Sequence, residues 1–246
     1  MGLGSISGGC EFRTTLWTLV LAAADQEDPQ STGALEQLCR IYWFPIYAYI
    51  RGQGYSPEDA EDRTQAFFAF LLEKNALKSL DREGGKFRHW LLKVCRNFLN
   101  SQYRVESALK RGGGKKFVSI DDTTEVRYQR ELVERATPEA HYDRQWALIL
   151  LERVLARLQK EFEDKGKGQL FELLRSHLVA EGDPASYAEL AAQTGKTEAS
   201  LYVAVKRLRE RYGELLREEI SATVAGLGEV DDEVRYLTSV LAREEA

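Results

Sequence analysis

The sequence predicts an all-α protein. Apolar residues recur at three- and four-residue spacing along much of the 246-residue chain, which is typical of helices that bury one face. No convincing run alternates apolar and polar residues with the period of two that marks a half-buried strand. A hydroxyl residue followed by proline marks two helix starts, at Ser56-Pro57 and Thr137-Pro138. We therefore expect helices packed on helices.

Three helices are predicted in the first half of the chain. The first begins at Ser31, is interrupted by Pro45 and ends before Gly54, since proline kinks a helix and glycine ends one. The second begins at Ser56 with acidic residues in its first turns, where the helix dipole favours them. The third follows Gly85 and combines an apolar stripe with basic and amide side chains elsewhere on its surface.

The second half begins with a long predicted helix from Thr137 to about Phe162. A shorter helix over 169–179 follows a glycine-containing break. At the end of the chain, acidic residues from Asp231 onward predict the start of a last helix, which reaches about Ala242.

Between these elements, two closely spaced helices at 187–194 and 198–217 predict a helix-turn-helix. Gly195 permits the tight turn, the small Ala191 lets the helices cross closely, and Leu201 completes a miniature core. An ordinary helical hairpin in a bundle is the alternative. The side chains expected to face DNA are Lys196, Thr197, Ser200, Tyr202, Lys206, Arg207 and Arg209.

The charge of the chain is segregated along its length. The net charge of −5 argues against a nucleic-acid partner, because phosphate-binding chains are usually basic. However, residues 81–117 carry a local balance of +7 and residues 186–217 carry +2, whereas residues 218–246 carry −6. The two basic segments coincide with the third predicted helix and the helix-turn-helix, so DNA remains a candidate partner.

Other classes of protein find little support in the sequence. Three widely spaced cysteines predict neither a disulfide framework nor a metal site, so a reducing, cytoplasmic location is expected. No apolar run approaches the length that spans a bilayer, and the first residues lack the pattern of a secretory signal, so we expect no membrane insertion. The three histidines lie far apart and no phosphate-binding loop is present, so we expect no enzyme, cofactor or metal.

Three segments, in this order, resemble the extracytoplasmic-function sigma factors, the two-domain initiation subunits of bacterial RNA polymerase. SPEDAEDRTQAFFAFLLEK resembles their polymerase-docking helix, and GKFRHWLLKVCRNFLNSQYR resembles the helix that melts and reads the minus-ten element. TEASLYVAVKRLRERY resembles their recognition helix for the minus-thirty-five element. The resemblance covers roughly residues 34–110 and 141–217.

The resemblance implies two small helical domains, joined by a flexible linker and followed by a C-terminal helical extension. The implied order is an N-terminal extension at 1–33, a region-2-like domain at 34–110, a linker at 111–136, a region-4-like helix-turn-helix domain at 137–220, and an acidic extension at 221–246. The implied function is binding to core RNA polymerase and directing promoter recognition and melting. A stand-alone helix-turn-helix regulator is the alternative function.

The resemblance also assigns residues to partners. Those matching the polymerase-docking motif are Asp59, Glu61, Asp62 and Gln65. Those matching the minus-ten reader are Lys86, Phe87, Arg88, Trp90, Lys93, Arg96, Asn97, Asn100, Ser101 and Arg104. Phe87 and Trp90 also lie on the apolar stripe, so core packing is an equally good interpretation for these two. The expected partners are core RNA polymerase and promoter DNA, with an anti-sigma factor or a regulatory kinase as a further partner.

Three features go beyond or depart from the family pattern. Tyr202, Val203 and Ala204 replace the lysine, serine and arginine that many relatives carry, so the contacts with the minus-thirty-five element should be fewer or of another kind. The acidic extension suggests a tail that folds over a basic surface and restrains the free protein, with a solvated helix as the alternative. Thr64 is a candidate phosphorylation switch, with an ordinary exposed threonine as the alternative.

Overall fold

A computed structural model describes residues 31–73, 86–109, 122–130, 137–178, 185–221, 223–224 and 227–242. Within these ranges the regular structure is helical and no strand occurs, which confirms the all-α prediction. The α-helices are α1 (Ser31–Gly52), α2 (Pro57–Glu73), α3 (Phe87–Leu109), α4 (Asp122–Arg130), α5 (Pro138–Asp164), α6 (Gly168–Leu174), α7 (Tyr187–Thr194), α8 (Glu198–Ser221) and α9 (Val230–Ala242). Short 3₁₀ turns at Arg175–His177 and Leu227–Glu229 follow α6 and precede α9.

Side-chain caps fix the starts of the helices, as the sequence predicts. The Ser56 hydroxyl accepts a hydrogen bond from the backbone N–H of Asp59 at 3.1 Å. The Thr137 hydroxyl accepts from the backbone N–H of Ala140 at 3.2 Å. Each cap satisfies a donor that the first helical turn leaves without an intrahelical partner.

The first hydrophobic core is built around α1. Its residues from Ile46 to Ile50 are at most 1% exposed, so the second half of α1 is buried on all sides. It packs against α2 and, most extensively, against α5. The helix continues through Pro45, where the sequence predicts an interruption.

The second core lies beneath the helix-turn-helix. The C-terminal half of α5 contributes Val154 and Leu158, and α6 contributes Phe171. The helices α7 and α8 add Leu190 and Leu201, among others, all of them at most 1% exposed. This core holds the predicted helix-turn-helix against the end of α5.

The long helix α5 belongs to both cores. Its N-terminal half buries Trp146 and Leu150 in the first core, while Val154 and Leu158 lie in the second. The indole N–H of Trp146 donates a hydrogen bond to the Tyr42 hydroxyl at 3.2 Å, which ties α5 to α1. The two cores therefore meet within α5, whereas the sequence predicts a division at the linker that precedes it.

Part of the predicted flexible linker is a packed helix. Within 111–136 the structure describes 122–130, which form α4; the rest of that segment lies outside the described residues. The carboxylate of Glu125 accepts hydrogen bonds from Arg51 at 2.8 and 3.0 Å and from the Tyr47 hydroxyl at 2.5 Å. Burial alone raises the pKa of Glu125, but these bonds outweigh it and lower the pKa to about 2. Because Tyr128 is also buried, α4 is anchored to α1.

The C-terminal helix α9 packs against α5 and α8. Its inner face buries Val230, Leu237 and Val240. The prediction of a last helix ending near Ala242 is therefore confirmed. None of the helices in the described part of the chain is both long and apolar enough to cross a membrane.

Two glycine substitutions test the turn of the helix-turn-helix. Gly195 has φ +66°, so Gly195→Ala should lower the free energy of unfolding by about 1 kcal/mol, because a β-carbon is strained there. The matched control Gly213→Ala lies inside α8 with only an ordinary 3.6 Å contact, and should stabilise by about 0.5 to 1 kcal/mol. Urea unfolding measures the free energy of unfolding of both variants. Equal changes for the two substitutions would contradict the turn assigned to Gly195.

Candidate nucleic-acid interface

An exposed polar stripe runs along α3. Lys93, Asn97, Asn100 and Arg104 follow one another at four-, three- and four-residue intervals, which places them on one helix face, and all four are exposed. Ser101 is exposed beside the stripe, although its hydroxyl donates a hydrogen bond to the carbonyl of Phe98 at 2.7 Å. Together with Arg96, which is also exposed, six of the residues predicted for the minus-ten reader are thus available to solvent.

A pocket of about 350 Å³ lies between α3 and the end of α1, next to this stripe. Its lining residues are Tyr49, Gln53, Tyr55, Arg96, Leu99, Asn100 and Tyr103. Such a volume is within the range of roughly 300 to 1,000 Å³ found for small-ligand sites. The sequence predicts Arg96 and Asn100 as functional residues but does not single out the three tyrosines or Gln53.

The pocket combines aromatic, cationic and amide groups. The Tyr103 ring is 64% exposed. The Arg96 guanidinium donates to the Tyr49 hydroxyl at 3.4 Å and to the Glu139 carboxylate at 2.6 Å. The Arg96–Glu139 pair is exposed, so it contributes little stability and Glu139 is readily replaced by another anion. The exposed ring of Tyr103 can stack on a base, whereas the ring of Tyr49 is buried and forms the floor of the pocket. The guanidinium of Arg96 can bind phosphate, and the amide of Asn100 can hydrogen-bond a base edge.

Three other predicted minus-ten residues lie in the interior or at its edge. Arg88 is 1% exposed and Phe87 is 2% exposed, with the Phe87 ring 5.3 Å from that of Tyr42. Lys86 is largely covered and forms an ion pair with Glu233 of α9. In this arrangement Phe87 and Arg88 cannot reach nucleic acid. Phe87 follows the core-packing alternative, since its ring packs on Tyr42 of α1. The burial of Arg88 between Asp143 of α5 and Glu233 of α9 is contrary to the expectation from the resemblance.

The Arg88 side chain joins α3, α5 and α9. Its Nε donates to the Glu233 carboxylate at 2.8 Å, and its Nη1 donates to Asp143. The guanidinium also lies over the ring of Trp146 at 5.1 Å and over that of Tyr236 at 4.9 Å. We call Lys86, Arg88, Asp143, Glu233 and Tyr236 the Arg88 cluster.

The charges within the Arg88 cluster stabilise one another. Burial alone raises the pKa of Glu233, but hydrogen bonds and charge from Arg88 and Lys86 outweigh it, so the pKa lies below its ordinary value of 4.5. Burial and a hydrogen bond to Asp143 raise the pKa of Tyr236 to about 12. At neutral pH Glu233 is therefore ionised beside a buried cation, a pairing whose disruption is costly.

The predicted polymerase-docking residues lie on the outer side of α2. Asp59, Asp62 and Gln65 are exposed, and Glu61 is half-buried, with its carboxylate accepting from the Gln65 amide at 3.4 Å. Thr64 is fully buried, and its hydroxyl donates to the carbonyl of Ala60 at 2.7 Å. The expectation of an exposed Thr64 is wrong, and a kinase cannot reach this hydroxyl while α2 stays packed.

The two helices and the glycine turn of the predicted helix-turn-helix occur at the predicted positions, with Gly195 in the left-handed conformation. Leu190, Leu201, Val205 and Leu208 are at most 1% exposed and form the contact between α7 and α8. All the residues predicted to face DNA are exposed, namely Lys196, Thr197, Ser200, Tyr202, Lys206, Arg207 and Arg209. Arg209 donates two hydrogen bonds to the carbonyl of His177, at 3.0 and 3.1 Å. Trp90, the remaining residue predicted for the minus-ten reader on α3, is half-buried against the first core.

Sequence reasoning missed residues of two kinds. Tyr49, which lines the pocket from α1, follows an apolar spacing that indicates a core residue. Tyr103 could have been predicted as a pocket residue, because it lies seven residues after Arg96 and on the same face of α3. Asp143 and Glu233 leave no local signal, because their partner Arg88 lies 55 and 145 residues away.

No family model, curated protein or solved structure matches this chain. The features that bear on function are therefore those of the chain itself. They are the pocket with its polar stripe, the acidic face of α2, the exposed helix-turn-helix and the cluster that buries Arg88.

A substitution of Glu233 tests the Arg88 cluster. Glu233→Gln should lower the free energy of unfolding at pH 7 by about 3 kcal/mol, because it leaves a buried cation with one acid fewer. Since the pKa of Glu233 is lowered by folding, its ionised form stabilises the fold above about pH 4.5, and this stability is lost as the pH falls through the lowered pKa. Urea unfolding from pH 7 to pH 3 measures both effects.

The matched control is Glu229→Gln, which changes an exposed glutamate just before α9 and should leave stability unchanged. The difference between wild type and Glu233→Gln should shrink in acid. A constant difference across the pH series would contradict the role assigned to the Glu233 carboxylate.

Proposed function

We propose that the chain is a promoter-specificity subunit of bacterial RNA polymerase, of the sigma type. In this proposal it binds core polymerase, holds promoter duplex with α7 and α8, and captures the separated minus-ten strand at α3. The observation that carries the proposal is the pocket lined by Tyr49, Tyr55, Arg96, Asn100 and Tyr103, which opens beside the exposed stripe of α3.

The pocket favours strand capture over the reading of intact duplex. In a duplex the faces of the bases are stacked, so a concave aromatic site can accept a base only after that base has left the stack. Lys93 and Arg104 of the adjacent stripe are exposed and can follow the phosphates of the same strand. A stand-alone regulator that reads only intact duplex has no use for such a site.

The acidic face of α2 supports a protein partner. Asp59 and Asp62 are exposed and have no ion pair to a basic side chain among the described residues. Exposed carboxylates of this kind guide association with a basic surface and set its register more than they add affinity. In the proposal this surface belongs to core polymerase.

The described arrangement is proposed to be the resting form of the free protein. The pocket lies beside the start of α5, where Arg96 contacts Glu139, and the helix-turn-helix packs on the other half of α5. A helix of 27 residues spans about 40 Å. The two promoter elements lie about 25 base pairs apart, or roughly 85 Å of B-form duplex. In the proposal the contact between α1 and α5 opens when one molecule holds both elements.

In the same proposal α9 restrains this opening. It covers the start of α3 through the buried pairs of Glu233 with Arg88 and Lys86, and it packs on α5 and α8. An acidic tail lying over a basic helix thus couples the two cores. Promoter DNA alone should bind weakly, and core polymerase should supply the energy that opens the chain.

Transcription in vitro with core polymerase and a cognate promoter tests the proposed function. Asn100→Ala and Tyr103→Ala should each lower initiation from duplex promoter by about tenfold, because each removes a contact with the captured base. A promoter with a pre-melted minus-ten segment should recover most of this loss, since strand separation no longer limits initiation.

The control Gln102→Ala changes a half-buried side chain that lies opposite the exposed stripe on α3, and it should initiate as the wild type does. Sequence-specific duplex binding with no effect on core polymerase would overturn the proposal in favour of the stand-alone regulator. Equal defects on duplex and pre-melted promoters would overturn the role of the pocket in strand separation.

The restraint by α9 has its own test. Glu233→Gln should bind promoter DNA about tenfold more tightly than wild type in the absence of polymerase, because apparent affinity scales with the fraction of open molecules. Small-angle X-ray scattering should show a larger radius of gyration for this variant. The control Glu229→Gln should match the wild type in both measurements, and a compact Glu233→Gln protein with unchanged affinity would refute the restraint.

A further inference from the structure

The outer surface of the first turns of α8 is apolar at its centre. Leu201 and Val205 point into the second core, and each is at most 1% exposed. On the other side of the helix Tyr202 is 60% exposed and Val203 is 43% exposed. An aromatic and an aliphatic side chain therefore occupy the part of a recognition helix that enters the major groove.

The Thr197 and Ser200 hydroxyls near this surface are engaged in capping α8. The Thr197 hydroxyl accepts from the backbone N–H of Ser200 at 3.2 Å, and the Ser200 hydroxyl donates to the carbonyl of Thr197 at 2.8 Å. Residues 196–203 contain no asparagine, glutamine or arginine, the side chains that most often read adenine and guanine. The charged residues of this segment are Lys196, in the turn just before α8, and Glu198, the first residue of α8.

Tyr202 is held in place by an aromatic row. Its ring meets that of Tyr187 edge-on, with the centroids 5.9 Å apart and an interplanar angle of 61°. The Tyr187 ring stacks on His177, at 5.3 Å and 17°. The exposed ring of Tyr202 is thus fixed before DNA binds, which lowers the entropy lost in forming a contact.

We propose that Tyr202 and Val203 read the 5-methyl groups of thymine, so that thymines lie opposite them in the preferred duplex. The methyl group of thymine is the apolar feature that the major groove offers to such side chains, and cytosine lacks it. The exposed Lys206 and Arg207, one turn further along α8, hold the flanking phosphates. The inference rests on the duplex-reading part of the proposed function.

Replacing thymine by deoxyuridine, which differs only in lacking that methyl group, tests the inference. The probe is a duplex of preferred sequence, selected from a random library in parallel by the full chain alone and by the full chain with core polymerase, with deoxyuridine introduced one position at a time. At one or two positions the wild type should lose about fourfold in affinity per methyl removed, the loss expected from one buried methyl group.

Two variants separate base reading from phosphate binding. At the position read by Val203, the affinities of Val203→Ser for the thymine and deoxyuridine duplexes should lie within twofold of each other. Arg207→Gln should weaken both duplexes alike and reduce the salt dependence by about one phosphate contact, while keeping the preference for thymine. Thermal melting verifies that both variants are folded, as expected for changes of exposed side chains.

The outcomes distinguish this inference from the proposed function. Sequence-specific binding that is indifferent to deoxyuridine at every position overturns the thymine reading and leaves the proposed function standing. A thymine preference in a chain that never supports initiation by core polymerase overturns the proposed function and keeps the inference. Failure to select any duplex overturns both.

Discussion

The buried guanidinium of Arg88 is the contact on which the described arrangement depends. Arg88 belongs to α3, whereas its partners Asp143 and Glu233 belong to α5 and α9, so one side chain joins three distant parts of the chain. A cation that is 1% exposed is tolerated only while its acids remain in place. The position of α9 over α3 is therefore a condition for the compact form and is more than a terminal appendage.

The helix α5 connects the Arg88 cluster to the second core. Because Trp146 lies in the first core and Val154 in the second, a rigid helix connects the basic surface of α3 with the helix-turn-helix. Movement of α5 away from α1 would withdraw the Glu139 carboxylate from Arg96 of the pocket and reorient α7 and α8 together. In the proposed function, this coupling would let one movement of α5 change the position of both nucleic-acid surfaces.

The helices could be predicted from the sequence because caps and apolar spacing are local signals. The helix α7 occupies the predicted residues, and α8 extends only four residues beyond its predicted end, to Ser221. The burial of Arg88 and Thr64 could not be predicted, because it depends on which other helices cover α3 and α2. Tyr49 of the pocket was missed for a related reason, since its apolar spacing in α1 is equally typical of core residues. Where polar side chains lie on an exposed face, as Lys93 and Asn100 do, the predicted and observed positions agree.

The sequence separation within the Arg88 cluster has a consequence during protein synthesis. Arg88 and Glu233 lie 145 residues apart, so a ribosome needs roughly 7 to 30 s to pass from one to the other. Throughout this interval the start of α3 exists without its acidic cover, and the first core lacks α9. The nascent chain thus presents the start of α3 before Glu233 has been synthesised, and the compact form becomes accessible only after α9 has left the ribosome.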